Sequence, residues 1–184
     1  MRQRFFSLLA CLLCFSYAAS VTAASTGPAV GSIAPDFKAH NLLTGETVLL
    51  SSQRGKVVIV TFWASWCAPC RRELPILERA QKVVGKDKLT VFAVSYKENP
   101  AAANGIRKLA SESQIKMIND NGWIASHYAI SSIPHLFIIG RDGTVLANHV
   151  GYGDRTLQVL VDAINHALLE QTQQDASLTA ADST

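Results

Sequence analysis

Among the 184 residues of this chain, Cys67 and Cys70 are the side chains best suited to chemistry. A Cys-x-x-Cys pair can exchange disulfides or supply half of a zinc site, and the spacing alone does not choose between them. Position is more informative. The nearly continuous β-branched and aromatic run Val57-Val58-Ile59-Val60-Thr61-Phe62-Trp63 predicts a strand buried on both faces. Leu74, Leu77, Ala80 and Val84 then follow at helical spacing. Cys67 therefore stands where a strand gives way to a helix. A helix N-terminus offers unpaired N–H groups and the positive end of the dipole, both of which favour a thiolate over a thiol. Cys67 is the expected nucleophile. Cys70, one turn later on the same face, is close enough to form a disulfide and is the expected resolving thiol. Pro69 fits the first helical turn and restricts the loop between the sulfurs. Trp63 and Trp66 offer an apolar wall beside the pair, with core packing the alternative, favoured for Trp63.

The N-terminus bears on the compartment. Arg2 and Arg4 precede an apolar stretch from Phe5 to about Ala19 and the small residues Val21-Thr22-Ala23-Ala24-Ser25, the pattern of an export signal cleaved near Ala23 or Ala24. Two readings compete with it. An uncleaved anchor is one, although the stretch is shorter than the roughly 20 residues that span a bilayer. A lipoprotein signal at Leu8-Leu9-Ala10-Cys11 is the other. Cys11 and Cys14 share the Cys-x-x-Cys spacing but lie in the apolar stretch and leave with it. One close pair then remains in an oxidising compartment, where a disulfide closing so small a loop removes little unfolded-state entropy, so a redox role is favoured over a bracing one. The formal charge of +3 falls to about +1 without Arg2 and Arg4, and without a Lys/Arg cluster the chain has no footprint for nucleic acid.

Residues 1–24 are thus read as a signal peptide, 25–30 as a flexible linker, 31–170 as one domain and 171–184 as a disordered tail poor in core-forming residues. Once the signal is removed, no membrane association is expected. Within the domain, residues 36–50, broken at Thr44-Gly45, predict a hairpin. Leu89-Thr90-Val91-Phe92-Ala93-Val94-Ser95 predicts a second buried strand. Residues 135–139 and 144–150 flank the turn signal Arg141-Asp142-Gly143 and predict a second hairpin. Asn99-Pro100 opens one helix, and Asp154 caps another with Leu157, Leu160, Val161, Ile164 and Leu168 on one face. The expected fold class is α/β, a central mixed sheet covered by helices on both faces, with an extra N-terminal hairpin.

Residues 30–168 resemble the thioredoxin superfamily, and within it the TlpA/ResA-like (redoxin) branch of exported thiol–disulfide oxidoreductases. The match is carried by Gly31-x-x-Ala34-Pro35-Asp36-Phe37, by Gly55-Lys56-Val57-Val58 and by Phe62-Trp63-Ala64-Ser65-Trp66-Cys67-x-Pro69-Cys70-Arg71-x-Glu73-x-Pro75. It continues through Ile133-Pro134-x-x-Phe137-Ile138-Ile139 and Arg141-Asp142-Gly143. The resemblance implies a thioredoxin-like fold, a redox-active Cys67–Cys70 disulfide and no cofactor. It implies that Pro134 is cis and lies against the sulfurs, where its neighbours Ile133 and His135 pair with an incoming polypeptide. With Trp66 and Pro69 these are the candidate partner-binding residues. Pro75 is the expected kink in the active-site helix. The implied partners are a cysteine-containing exported protein as substrate and a membrane thiol carrier as electron donor. Its implied role is reduction of particular exported disulfides, such as haem-attachment or metal-site cysteines.

Two positions depart from cytoplasmic thioredoxins. Thr61 replaces a buried Asp that assists proton transfer there. Glu73 matches the acid that TlpA/ResA-like proteins place beside the disulfide and is the candidate substitute, tuning or deprotonating Cys70. The competing reading is an exposed first-turn Glu favoured by the helix dipole. His135 replaces the usual Thr, and an ordinary strand residue is the preferred reading over contact with a thiolate or partner. Other activities stay in view. A disulfide-donating oxidase differs only in potential. A peroxidase needs Thr three residues before its cysteine, where this chain has Ala64. A copper metallochaperone would add His135 or His149 to the two thiolates, although no metal site is expected.

Overall fold

The structure is a computed structural model that describes residues 27–181. The signal peptide assigned to residues 1–24 lies outside the described residues, as do 25–26 and 182–184. No helix among the described residues is long and apolar enough to cross a membrane.

The N-terminal hairpin is β1 (Lys38–His40) and β2 (Thr47–Leu49). Its turn is closed by the Asn41 carboxamide oxygen, which accepts from the backbone N–H groups of Leu43 and Thr44. The domain is built on β3 (Val57–Trp63), α1 (Ala68–Val84), β4 (Leu89–Ser95), α2 (Ala103–Glu112), β5 (Lys116–Ile118) and α3 (Trp123–His127). Then come β6 (His135–Ile139), β7 (Val145–Val150) and α4 (Asp154–Ala181). The strands form one sheet in the order β5-β4-β3-β6-β7. β3, β4 and β5 are parallel, whereas β6 runs antiparallel to β3 and to β7. The central mixed sheet and the additional hairpin agree with the sequence reading.

Strand alternation sorts β3 between two cores. Val57, Ile59 and Trp63 face the layer that holds Leu74 and Leu77 of α1 and Leu160 and Ile164 of α4. Val58, Val60 and Phe62 face the opposite layer, where Phe37, Phe92, Tyr128 and Phe137 pack edge to face. Thr61 belongs by the same period to the α1 layer. Gly143 closes the β6–β7 hairpin at φ +91°, and a Cβ there would collide with the Arg54 guanidinium.

Three features depart from the sequence reading. β5 and α3 are too short, at three and five residues, for periodicity to reveal. α3 is held instead by the Asp120 carboxylate, which accepts from the N–H groups of Ile124 and Ala125. The α4 backbone is helical to Ala181, through residues assigned to the tail, in a stretch rich in the good helix formers Gln and Ala. Finally, α1 buries Gln81, whereas Ala80 and Val84 are only partly covered. Gln81 has a reason to be inside. Its Oε1 accepts from Val91 N–H at 2.8 Å and its Nε2 donates to Gln114 O at 3.1 Å. This covers the edge of β4 just before pairing with β5 begins at Phe92. Gln81→Leu strands both backbone groups and is expected to cost about 2 kcal/mol, read as a lower urea midpoint with an unchanged slope.

Candidate active site

β3 ends at Trp63 and α1 begins at Ala68, so four residues make the strand-to-helix turn. Cys67 is the N-cap of α1, and its sulfur accepts from the Cys70 backbone N–H at 3.2 Å. A sulfur in that place occupies the position a Ser or Asp takes in ordinary caps, where negative charge is stabilised by the first-turn N–H groups. Pro69 lies in the first turn at no cost in hydrogen bonds, and Pro75 lies inside the helix. The pair is disulfide-bonded, with Cα atoms 5.3 Å apart. Access is unequal. Cys67 retains 5% exposure and Cys70 none, so an incoming group meets Cys67 first.

The surroundings divide into a dry side and an open side. Trp63 is fully buried and packs in the same core cluster as both cysteines, as the preferred reading had it. Trp66 is 57% exposed, and its indole N–H donates to Lys97 O at 3.3 Å. The Ile133–Pro134 peptide is cis, as the resemblance implied. Phe62 pairs with His135 in the β3–β6 ladder. One step further along that register sets Pro134 across from Trp63, at the strand end from which the Cys67 turn departs.

Glu73 is buried, at 1% exposure, and this decides against the exposed first-turn reading. Cys70, Glu73, Leu77 and Gln81 form the buried seam of α1, so Glu73 lies on the Cys70 face one turn deeper. Thr61 donates its hydroxyl to Glu73 Oε2 at 2.7 Å. The strand position that holds a carboxylate in cytoplasmic thioredoxins thus holds a donor here, and the helix supplies the acid. Glu73 Oε1 is buried without a hydrogen-bond partner among the described residues. The carboxyl group borders a cavity of about 130 Å³ lined by Ile76, Leu77, Tyr152, Thr156 and Leu160. Burial raises its pKa from 4.5 to about 7, and the Thr61 hydrogen bond opposes part of that rise.

His135 is a buried strand residue stacked on Phe137, its ring centroid 4.6 Å away. Its Nε2 meets Asn148 Oδ1 at 2.6 Å, which makes Nε2 the protonated nitrogen, and Nδ1 is buried without a partner. Burial lowers its pKa, the Asn148 contact opposes this, and the neighbouring His149 lowers it further. A neutral imidazole results. His149 meets the Thr156 hydroxyl at 2.9 Å. Among the described residues no group of three or more His, Cys, Asp or Glu is placed to hold a metal ion.

The family model described as AhpC/TSA matches residues 30–148. The chain belongs to that family. It is 35% identical over 123 residues to the thioredoxin-like protein YneN of Bacillus subtilis, covering 66% of this chain and 71% of that one. It is 30% identical over 148 residues to the thiol-disulfide oxidoreductase ResA of Geobacillus thermodenitrificans, covering 79% and 83%. A crystal structure of a putative thiol:disulfide interchange protein DsbE from Chlorobium tepidum superposes with a TM-score of 0.63 at 29% identity, over 74% of this chain and 99% of that one. The protein is a thiol–disulfide oxidoreductase of thioredoxin-like fold that carries a Cys67–Cys70 disulfide.

The sequence reading missed the segment that follows β4. No role was assigned to Tyr96, Lys97 and Glu98 from the sequence, yet Tyr96 is hydrogen-bonded to the end of β3 and Lys97 and Glu98 to the turn that carries Cys67. The usable signal was charge placed directly after a fully buried strand, at the sheet end where the cysteines lie.

Glu73 makes stability depend on pH with a definite sign. Between pH 4.5 and about 7 the folded protein keeps a proton that the unfolded chain has released, so stability falls as pH rises through that window. The fall is on the order of 3 kcal/mol. Glu73→Gln keeps an acceptor for Thr61 and does not ionise. Urea titrations of the oxidised proteins over that window are expected to show the wild-type decline and a variant lacking it.

Proposed function

We propose that this protein is an exported reductase that returns particular extracytoplasmic cysteines, such as haem-attachment or metal-site cysteines, to the thiol form. The observation that carries this reading is a buried acid on the helix face of the resolving cysteine. A carboxylate in a dry core disfavours a second negative charge nearby, so ionised Glu73 disfavours the Cys70 thiolate. Destabilising the reduced, ionised pair favours the disulfide, and a pair that prefers the disulfide is a reductant. The N-cap pulls the other way at Cys67, where a thiolate is needed for attack.

The exchange then runs in two steps. The Cys67 thiolate attacks one sulfur of the substrate disulfide, forming a Cys67–substrate bond and expelling the other substrate sulfur as thiolate. Glu73 accepts the Cys70 proton, and the Cys70 thiolate attacks the Cys67 sulfur. The Cys67–Cys70 disulfide forms and the second substrate sulfur leaves. Two electrons pass to the substrate, whose thiolates take up protons. A membrane dithiol carrier restores the pair by the reverse sequence. Export is supported by Arg2, Arg4 and the apolar stretch behind them. The cis Pro134 loop, exposed Trp66 and half-buried Pro69 are the surfaces assigned to the substrate, with Ile133 and His135 supplying backbone beside Pro134.

Peroxidase chemistry has no Thr three residues before Cys67, where Ala64 stands. A copper carrier would have to free His135 from Asn148 or His149 from Thr156. In the native compartment, Cys70→Ala is expected to accumulate Cys67-linked adducts of cysteine-containing exported proteins, whereas Cys67→Ala yields none. The absence of any adduct, with Cys67 unreactive, contradicts the proposal. The reduction potential is expected near the thioredoxin value of about −270 mV rather than the strongly oxidising value of about −120 mV.

A further inference from the structure

Three consecutive residues directly after β4 hold the last residue of β3 and two residues of the Cys67 turn. The Tyr96 N–H donates to Trp63 O at 2.8 Å. Lys97 O accepts from the Trp66 indole at 3.3 Å. The Glu98 carboxylate is fully engaged with Ser65: one oxygen accepts its backbone N–H and the other its hydroxyl, the latter at 2.9 Å. From the other side the Arg71 guanidinium donates to Ser65 O. The Ser65 residue is therefore gripped by an anion on its N–H and a cation on its C=O, both charge-assisted bonds and stronger than neutral ones.

The backbone between the first and third of these contacts is unusual. Lys97 has φ +48°, a left-handed conformation that is strained for a residue with a Cβ. That conformation accompanies the return of Glu98 toward Ser65. Strain held at such a place, with its carboxylate spent on one peptide group, is the signature of a device that fixes geometry.

From this geometry we infer that Glu98 is a positioning residue for the exchange reaction, clamping Ser65 against Arg71 so that Cys67 stays at the N-cap and Trp66 stays at the rim of the site. It does not touch the reacting sulfurs. It acts through Ser65 and the turn in which Cys67 N–H donates to Ala64 O at 3.1 Å. When the disulfide is reduced the Cys67 sulfur is no longer tied to the Cys70 sulfur, and the clamp is what keeps the thiolate beside the Cys70 N–H. The inference rests on the exchange chemistry above and adds a residue that chemistry does not use. Gln in place of Glu98 preserves both contacts, its oxygen accepting the Ser65 N–H and its amide donating to the Ser65 hydroxyl. Ala removes both.

The test is the pH profile of the second-order rate at which the reduced protein reacts with glutathione disulfide, for wild type, Glu98→Ala, Glu98→Gln and Ser65→Ala, with the Tm of each oxidised form. Glu98→Ala is expected to react about tenfold more slowly at neutral pH, with its profile displaced to higher pH. Glu98→Gln is expected within about twofold of wild type, and Ser65→Ala, which loses one of the two bonds, about threefold slower. An alanine variant that matches wild type in rate and profile overturns the clamp, as does a Gln variant as slow as the alanine one. Should Glu98→Ala fail to fold, Ser65→Ala carries the test, and a wild-type rate there overturns the inference. Failure of the wild-type protein itself to exchange is a different result, since it overturns the exchange chemistry along with the clamp.

Discussion

Everything chemical in this protein depends on a four-residue turn that converts the most buried strand of the sheet into the first turn of α1. β3 is buried along its whole length and paired on both sides, so its end is among the best-fixed points in the fold. Attaching the helix start to that point delivers the Cys67 sulfur to the unpaired N–H groups of α1. The same connection sets α1 across the sheet so that its buried seam runs over Thr61, and the buried acid follows from that placement. Neither the nucleophile nor its acidic neighbour has the same properties if the turn shifts.

The two cysteines are made unequal by where they lie along one helix. Cys67 stands at the helix end, an environment that favours a thiolate over a thiol in the reduced form, and it is the less buried of the two sulfurs. Cys70 sits a turn deeper, out of contact with solvent, beside a carboxyl group whose burial holds its pKa near neutrality. Near pH 7 a small change in surroundings moves the Glu73 proton on or off, which is the property required of a group that takes a proton during one half of a cycle and returns it in the other. Thr61 moderates this. Its hydroxyl stabilises the ionised form, so the acid does not remain permanently neutral as burial alone would favour.

Much of this was legible from residue order. The apolar runs at β3 and β4 left little choice but buried strands, and Arg141-Asp142-Gly143 marked its hairpin. The strand and helix signals on either side of Cys67 place it at the strand-to-helix junction, where the structure has it as the N-cap of α1. Glu73 shows where such reading stops. A glutamate in the first turns of a helix is favoured at an exposed site by the dipole and equally at home on the buried face beside a donor. Only the strand period that aims Thr61 at α1 separates the two, and that requires knowing which face of β3 the helix covers. Glu98 was invisible for a related reason. Its contacts with Ser65 span thirty-three residues and depend on a left-handed Lys97 that no local pattern announces. Short elements such as β5 and α3 owe their existence to neighbours, Gln81 and Asp120 among them, rather than to their own propensity.

The central claim is that placement along α1 makes the two thiols unequal. Differential alkylation of the fully reduced protein across a range of pH, with each cysteine quantified separately by mass spectrometry, tests it directly. The account predicts that Cys67 is modified first, with an apparent pKa well below the usual free-cysteine value of about 8.5, while Cys70 resists modification until the protein unfolds. Equal labelling of the two residues, or a Cys67 that titrates at or above the free-cysteine value, would contradict it.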